Sequence, residues 1–174
     1  FYYNSSAQST NYGYGLGFSL GYEMRYRINE IGGVVIETGD GRSDTYKKFG
    51  KEFEAPAGVF SKVEEYESGK YRLTEKSGEQ YFFDDAKYGK VTAMTDRNGN
   101  KTIFTYQDSL LVRVQDAVGH TLNLSYTDGL LRKATASFHK GSISYEYDGL
   151  RRLKKRTDAL GNSTLYSYDK QNRL

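Results

Sequence analysis

The chain has 174 residues and a net charge of +3, with 17 Tyr, 9 Phe, 19 Gly, one Pro and neither Cys nor Trp. The lack of cysteine excludes disulfides, Cys-ligated zinc and thiol nucleophiles, and no stretch approaches the roughly 18 consecutive apolar residues of a membrane-spanning helix. Charge is uneven: residues 1–90 carry 12 basic and 14 acidic side chains (−2), and residues 91–174 carry 13 basic and 8 acidic (+5).

Many aromatics and glycines with almost no proline suit short strands joined by tight turns. Residues 1–20 mix Tyr, Asn, Ser and Gly, with glycines at 13, 15 and 17. Alternating runs follow at 22–28 and 33–38, a turn signal at Thr38-Gly-Asp-Gly-Arg42, and a returning run at 44–49. The only proline, Pro56, lies in residues 50–60. From Ser61 the rhythm tightens, with runs at 62–67, 71–75 and 80–84 separated by Ser68-Gly69 and Lys76-Ser77-Gly78. Helical periodicity is absent, so the expected class is all-β.

The C-terminal half is a repeat. Cassettes near 91–106, 111–126, 131–147 and 153–168 each read as a strand, an Asp-x-x-Gly-Asn-like turn, a second strand and a final tyrosine. Their glycines fall at 99, 119, 141 and 161 and their final tyrosines at 106, 126, 147 and 168. A fixed period of this size predicts a stacked array of antiparallel hairpins. Gly78 extends the period backwards, so residues 69–174 are expected to form the repeats and residues 1–68 a β-rich lead-in. The few apolar side chains of one cassette cannot offset the entropy of ordering some 20 residues. Stability must come from stacking on neighbours, and the chain is expected to continue into further repeats.

Counting back from each final tyrosine places Phe104, Leu124, Tyr145 and Tyr166 on one face and polar residues on the other. Asn98-Gly99 reads as a two-residue type I′ turn. That turn would pair Val91, Ala93 and Thr95 with Tyr106, Phe104 and Thr102, Arg113 with Leu124, and Lys155 with Tyr166, laying the long basic stems over rings. A three-residue loop would shift this register.

Chemical motifs are sparse. Gly17-Phe-Ser19-Leu-Gly21 fits the nucleophile-elbow pattern, but that motif needs a following helix and residues 22–28 alternate like a strand. His120 occupies a turn position held by Asn100 and Asn162 in sister cassettes, and His139 lies in the longer third turn. Asp96-Arg-Asn98-Gly-Asn100 and Asp40-Gly-Arg-Ser-Asp44 superficially resemble calcium loops. They are better read as turns whose Asp and Asn bond their own backbone. The sequons at Asn4, Asn123 and Asn162 read as coincidence. The basic run Arg151–Arg156 could contact nucleic acid or a membrane, but the acidic first half does not extend it, so strand-surface charge is the preferred reading.

The cassettes resemble the YD repeat of rearrangement-hotspot (Rhs) proteins. The resemblance is carried by Arg152-Leu153…Thr157-Asp158-Ala-Leu-Gly161-Asn162…Tyr166-Ser-Tyr168-Asp169 and by Gly89-Lys-Val91…Thr95-Asp96-Arg-Asn-Gly99-Asn100…Tyr106. Phe1-Tyr-Tyr-Asn-Ser5, Gly15-Leu-Gly-Phe18-Ser-Leu20 and Pro56-Ala-Gly-Val-Phe60 resemble the segment leading into such repeats, with Phe18 where Trp is common. The repeat positions so marked are Asp96, Gly99, Asn100, Tyr106, Asp116, Gly119, Tyr126, Gly141, Tyr147, Asp148, Asp158, Gly161, Asn162, Tyr168 and Asp169.

The resemblance implies a curved spiral β-sheet forming part of a hollow shell around a C-terminal toxin domain, in a secreted or cell-surface bacterial polymorphic toxin. Related shells occur in insecticidal toxin complexes and teneurins. The implied partners are the remaining repeats and the enclosed domain, with secretion machinery or an immunity protein as further candidates. Neither a nucleic-acid partner nor a membrane span is expected. The family's self-cleaving aspartyl site has no counterpart in this sequence, so no catalytic, cofactor or metal residue transfers and no enzymatic activity is expected. A cell-surface module binding carbohydrate or protein is the alternative.

Overall fold

The structure, a computed structural model, describes residues 1–7 and 9–174. Alternating and β-branched runs form strands wherever a glycine- or Asx-based turn lets the chain reverse. In chain order the strands are β1 (Tyr2–Tyr3), β2 (Phe18–Ser19), β3 (Arg25–Ile28), β4 (Val34–Glu37), β5 (Ser43–Phe49), β6 (Glu52–Glu54), β7 (Lys62–Glu67), β8 (Lys70–Thr74) and β9 (Gln80–Phe83). They continue as β10 (Ala93–Thr95), β11 (Lys101–Gln107), β12 (Leu110–Gln115), β13 (Thr121–Thr127), β14 (Leu130–Ala136), β15 (Ser142–Tyr147), β16 (Leu153–Thr157) and β17 (Ser163–Leu165). Among the described residues the only helical element is a 3-10 turn at Ser5–Ala7, so the all-β class holds. The sheets are β1-β2, β3-β4-β5-β6, and an open 11-stranded meander from β7 to β17 in which each strand bonds its neighbour in sequence.

The chain divides into two compact units, residues 21–104 and residues 1–20 with 105–174. In the first, Val34, Val35, Ile36 and Tyr46 are buried in the four-stranded sheet. Tyr26 packs on Tyr71 at 4.6 Å and on Phe83 at 5.8 Å, and its hydroxyl donates to the Gly69 carbonyl at 3.0 Å. The strand carrying Tyr26 also joins residues 89–91: Tyr26 N–H donates to Gly89 O and Val91 N–H to Met24 O. Gly89 has φ +64°, and a Cβ there would lie 2.1 Å from the Tyr26 carbonyl oxygen, so only glycine fits this junction. Beside it Lys90 Nζ meets Glu23 Oε2 at 2.5 Å, both side chains 7% exposed. This interior ion pair survives because each charge compensates the other's lost hydration.

In the second unit the hairpin register differs from the type I′ expectation. Arg113 stands opposite Asn123 rather than Leu124, and Lys155 opposite Leu165 rather than Tyr166. The same shift appears in residues 93–103, where Ala93 pairs with Ile103 and Thr95 with Lys101. The turn contains three residues, not two, and one extra residue moves every cross-strand partner. Two-residue turns do occur at the opposite end of the hairpins. At Asp128-Gly129 both residues have positive φ (54° and 70°), as a type I′ turn requires.

Phe104, Leu124 and Tyr145 are buried, in line with the face assigned to them. A further irregularity was not legible. Between Ser125/Tyr126 and Lys133/Leu131 the ladder slips by one residue, leaving Arg132 extra, and the same slip at Glu146/Tyr147 leaves Lys154 extra. These β-bulges let Leu131 and Ala134, three apart, both be buried.

The interior charge pair yields a stability prediction. Lys90→Met, leaving Glu23 buried without its cation, is expected to cost about 3–5 kcal/mol in urea unfolding, whereas the double replacement with Glu23→Leu should recover much of that loss. Equal losses in the single and double variants would refute the pairing argument.

Candidate functional site

The recurring local unit is a five-residue loop. Residue i donates its N–H to the carbonyl of i+4, and residue i+3 returns its N–H to the carbonyl of i. The pattern occurs at 29–33, 38–42, 75–79, 96–100, 116–120, 148–152, 158–162 and 169–173. It is a type I turn closed by a residue in the left-handed region. That fourth residue is Gly32, Gly41, Gly78, Gly99, Gly119, Arg151, Gly161 or Asn172, with φ between 62° and 94°.

In five of these loops an aspartate opens the turn. Asp96, Asp116, Asp148, Asp158 and Asp169 each accept two backbone N–H bonds on Oδ1, from residues i+2 and i+4, at 2.8–3.0 Å. The second oxygen takes the side chain of residue i+4: Asn100, His120, Arg152, Asn162 or Arg173. Sequence reading separated the Asp-x-x-Gly-Asn turns from the Tyr-Asp positions. The structure shows that Asp148 and Asp169 build the same loop as Asp96, with Arg151 and Asn172 replacing the glycine.

These bonds favour the charged carboxylate. Side-chain amides of Asn100 and Asn162, then backbone N–H groups, hold Asp96 and Asp158 below the usual aspartate value. At Asp116 and Asp148 partial desolvation opposes this, yet the N–H groups of residues 120 and 152 prevail and the pKa is again lowered. In Asp169 the backbone N–H of Arg173 leads. Because the oxygens of Asp96 face their own loop, the calcium-loop likeness has a turn explanation. No cluster of three or more His, Cys, Asp or Glu residues suited to a metal occurs among the described residues.

The final tyrosines form a row at the end of the hairpins away from the loops at 96–100, 116–120 and 158–162, and the loops at 148–152 and 169–173 follow directly on Tyr147 and Tyr168. Tyr126 donates to Leu111 O at 2.8 Å and Tyr168 to Leu153 O at 2.7 Å, the same bond 15 residues back in each case. The third cassette has a longer turn, with Gly141 at φ +113°, and the Tyr147 hydroxyl is buried with no hydrogen-bond partner. Its ring instead lies 5.3 Å from the Arg132 guanidinium, and Arg152 covers Tyr168 at 4.7 Å. Cations therefore do cover rings, through residues other than Arg113 and Lys155. Burial raises the Tyr147 and Tyr145 pKa values and pushes Tyr168 up to about 12.

Phe1 and residues 13–18 lie along this tyrosine end, a contact the sequence did not reveal. Gly13 O accepts from Leu131 N at 2.7 Å, and Leu16 N donates to Arg151 O at 3.4 Å. Tyr14, fully buried, faces Tyr126; Phe1 faces Tyr145; Phe18 faces Tyr166. Gly13 has φ +97°, a backbone geometry that favours glycine, and a Cβ there would stand 2.8 Å from Leu110 Cδ2. The usable signal was Tyr12-Gly-Tyr14-Gly-Leu16-Gly-Phe18, rings alternating with glycines.

The other motifs resolve into structural contacts. Ser19 lies in β2 opposite Tyr2 and is followed by a turn and β3, without the helix of a nucleophile elbow. His120 Nδ1 is 3.0 Å from Asp116 Oδ2 and its ring packs on Phe138; His139 sits in the third turn. The basic run is largely engaged within the sheet: Arg151 donates to Asp128 O, Arg152 pairs with Asp148, Lys155 with Glu146, and Leu153 is buried.

The geometry defines an antiparallel hairpin-repeat protein with Asp-loop turns and a tyrosine row. Residues 147–174 match the family model described as RHS Repeat, a stretch holding the loops at 148–152, 158–162 and 169–173. That stretch is thus similar to the Rhs repeat, the family whose YD cassette the earlier hairpins resemble. No curated protein matches it.

Two predictions follow from the tyrosine row and the aspartates. Tyr126→Phe and Tyr168→Phe should each cost about 1 kcal/mol in urea unfolding, while Tyr147→Phe should be neutral or stabilising, because only the first two lose a hydrogen bond. Since the folded aspartates titrate below the ordinary value of 3.8, their contribution is complete above that pH and disappears as pH falls through the lower folded values. The tyrosines are raised above 10.0, so their contribution is complete below pH 10 and is lost as pH rises through the higher folded values. Urea midpoints measured from pH 2 to pH 12 should fall at both extremes; a flat acid limb would contradict the loop description.

Proposed function

We propose that this chain is a wall segment of an Rhs-type shell that encloses and carries a C-terminal toxin domain of the same polypeptide, in a secreted or surface-exposed bacterial polymorphic toxin. In this reading residues 69–174 are repeat hairpins and residues 1–68 lead into them. The supporting observation is the loop at 96–100, 116–120, 148–152, 158–162 and 169–173, the last three within the family match. A unit that turns the chain by the same bonds each time can extend a sheet indefinitely, which is what a wall needs. Ser19, His120 and His139 have no catalytic part in this proposal. Further repeats and the enclosed domain are the principal partners, with secretion machinery and an immunity protein acting on the assembled polypeptide.

The test is limited proteolysis of the full polypeptide that carries this segment. The downstream domain should resist trypsin in the intact protein and be cut once the core is opened by Leu131→Asp. A downstream domain cleaved equally in both would overturn the proposal. Saturable binding to glycans or cell surfaces without a protected domain would favour the adhesive alternative.

A further inference from the structure

The loop at 96–100 holds the only Asn-Gly step in the chain, Asn98-Gly99. The third residue of the sister aspartate loops is Val118, Leu150, Leu160 or Gln171. An asparagine followed by glycine is open to a self-reaction of the main chain, because no Cβ crowds the glycine nitrogen. Once that nitrogen yields its proton to base, it bonds to the asparagine Cγ, and the side-chain amide nitrogen leaves as ammonia. Water then opens the resulting succinimide at either ring carbonyl. One opening leaves aspartate; the other leaves isoaspartate, whose main chain runs through Cγ and is one carbon longer.

Solvent does not hold this reaction back. Asn98 and Gly99 are exposed, and a Cβ on Gly99 would meet nothing within 4 Å. The constraint is the loop itself. Gly99 N–H, which carries the attacking nitrogen, donates to Asp96 O at 3.1 Å, and Asn98 N–H donates to Asp96 Oδ1 at 2.8 Å. Ring closure also needs the Asn98 Cβ to eclipse the Gly99 nitrogen about the Cα–C bond. The third residue of a type I turn has ψ of about 0°, which puts its own main-chain nitrogen in that place and turns Cβ away. Asn100 N–H on Asp96 Oδ1 at 2.9 Å and the Asn100 amide on Oδ2 at 2.7 Å hold the loop shut.

We propose that Asn98 is a deamidation site gated by Asp96: the closed loop blocks succinimide formation, and opening of the loop releases it. Isoaspartate at 98 would lengthen a loop whose residue count sets Thr95 opposite Lys101, so the modification opens this turn in one direction only. The inference goes beyond the shell reading and stands without it. In the test, the full chain and a synthetic peptide of residues 92–103 are incubated side by side in mildly alkaline buffer. Conversion at position 98 is followed by peptide mass spectrometry. The full chain should react at least about tenfold more slowly than the peptide, since only its open fraction reacts. Asp96→Ala should remove most of that protection in the full chain, and the same substitution in the peptide should change its rate little. Asp116→Ala, which loosens a sister loop, should leave the rate at Asn98 unchanged, and this separates local opening from general unfolding. Equal rates in chain and peptide, no acceleration by Asp96→Ala, or equal acceleration by Asp116→Ala would overturn the proposal.

Discussion

The bond on which the repeats depend is a carboxylate oxygen accepting two backbone N–H groups of its own turn. In Asp96, Asp116, Asp148, Asp158 and Asp169 that oxygen reaches residues i+2 and i+4, the donors a tight turn would otherwise leave to water. The loop length so fixed sets the hairpin register, and the register decides which side chains meet across the sheet. Each aspartate is thereby held charged, and the turn tolerates Arg151 and Asn172 in left-handed geometry where sister loops use glycine. Asn tolerates that geometry readily; for Arg151 the surrounding bonds, including its own to Asp128 O, hold it there.

At the strand ends away from the loops of Asp96, Asp116 and Asp158 the tyrosines do a different job. A ring with a terminal hydroxyl can fill an apolar layer and still satisfy a carbonyl at the strand end, as Tyr126 does for Leu111 and Tyr168 for Leu153. The third cassette, with its longer turn, buries Tyr147 without that bond and leaves the ring to Arg132. The row also receives Phe1 and residues 13–18, whose glycines permit backbone contact and whose rings interleave with Tyr126, Tyr145 and Tyr166. Structural repeats thus double as a docking surface for another part of the chain.

Much of the candidate site was legible. The period of glycines at 99, 119 and 161 and of tyrosines at 106, 126, 147 and 168 marked the loops and strand ends directly, because a turn needs a left-handed residue at a fixed offset. Within the basic run, Arg152 pairs with Asp148 inside its own loop and Lys155 with Glu146 across the sheet. The register was not legible, because Asn98-Gly99 serves equally in a two-residue turn or at the end of a three-residue one. That single residue put Arg113 across from Asn123 instead of Leu124.

What the residues alone determined, then, is an all-β hairpin array with aspartate turns and tyrosine strand ends, since these follow from local backbone preferences repeated at a fixed spacing. Only the tertiary structure decided the bulges at Arg132 and Lys154, the seat of Tyr14 against Tyr126, and the interior pairing of Glu23 with Lys90. Those contacts join residues up to 112 positions apart, as between the Tyr14 and Tyr126 hydroxyls. A contact of that span depends on how whole strands pack, and no local pattern encodes it.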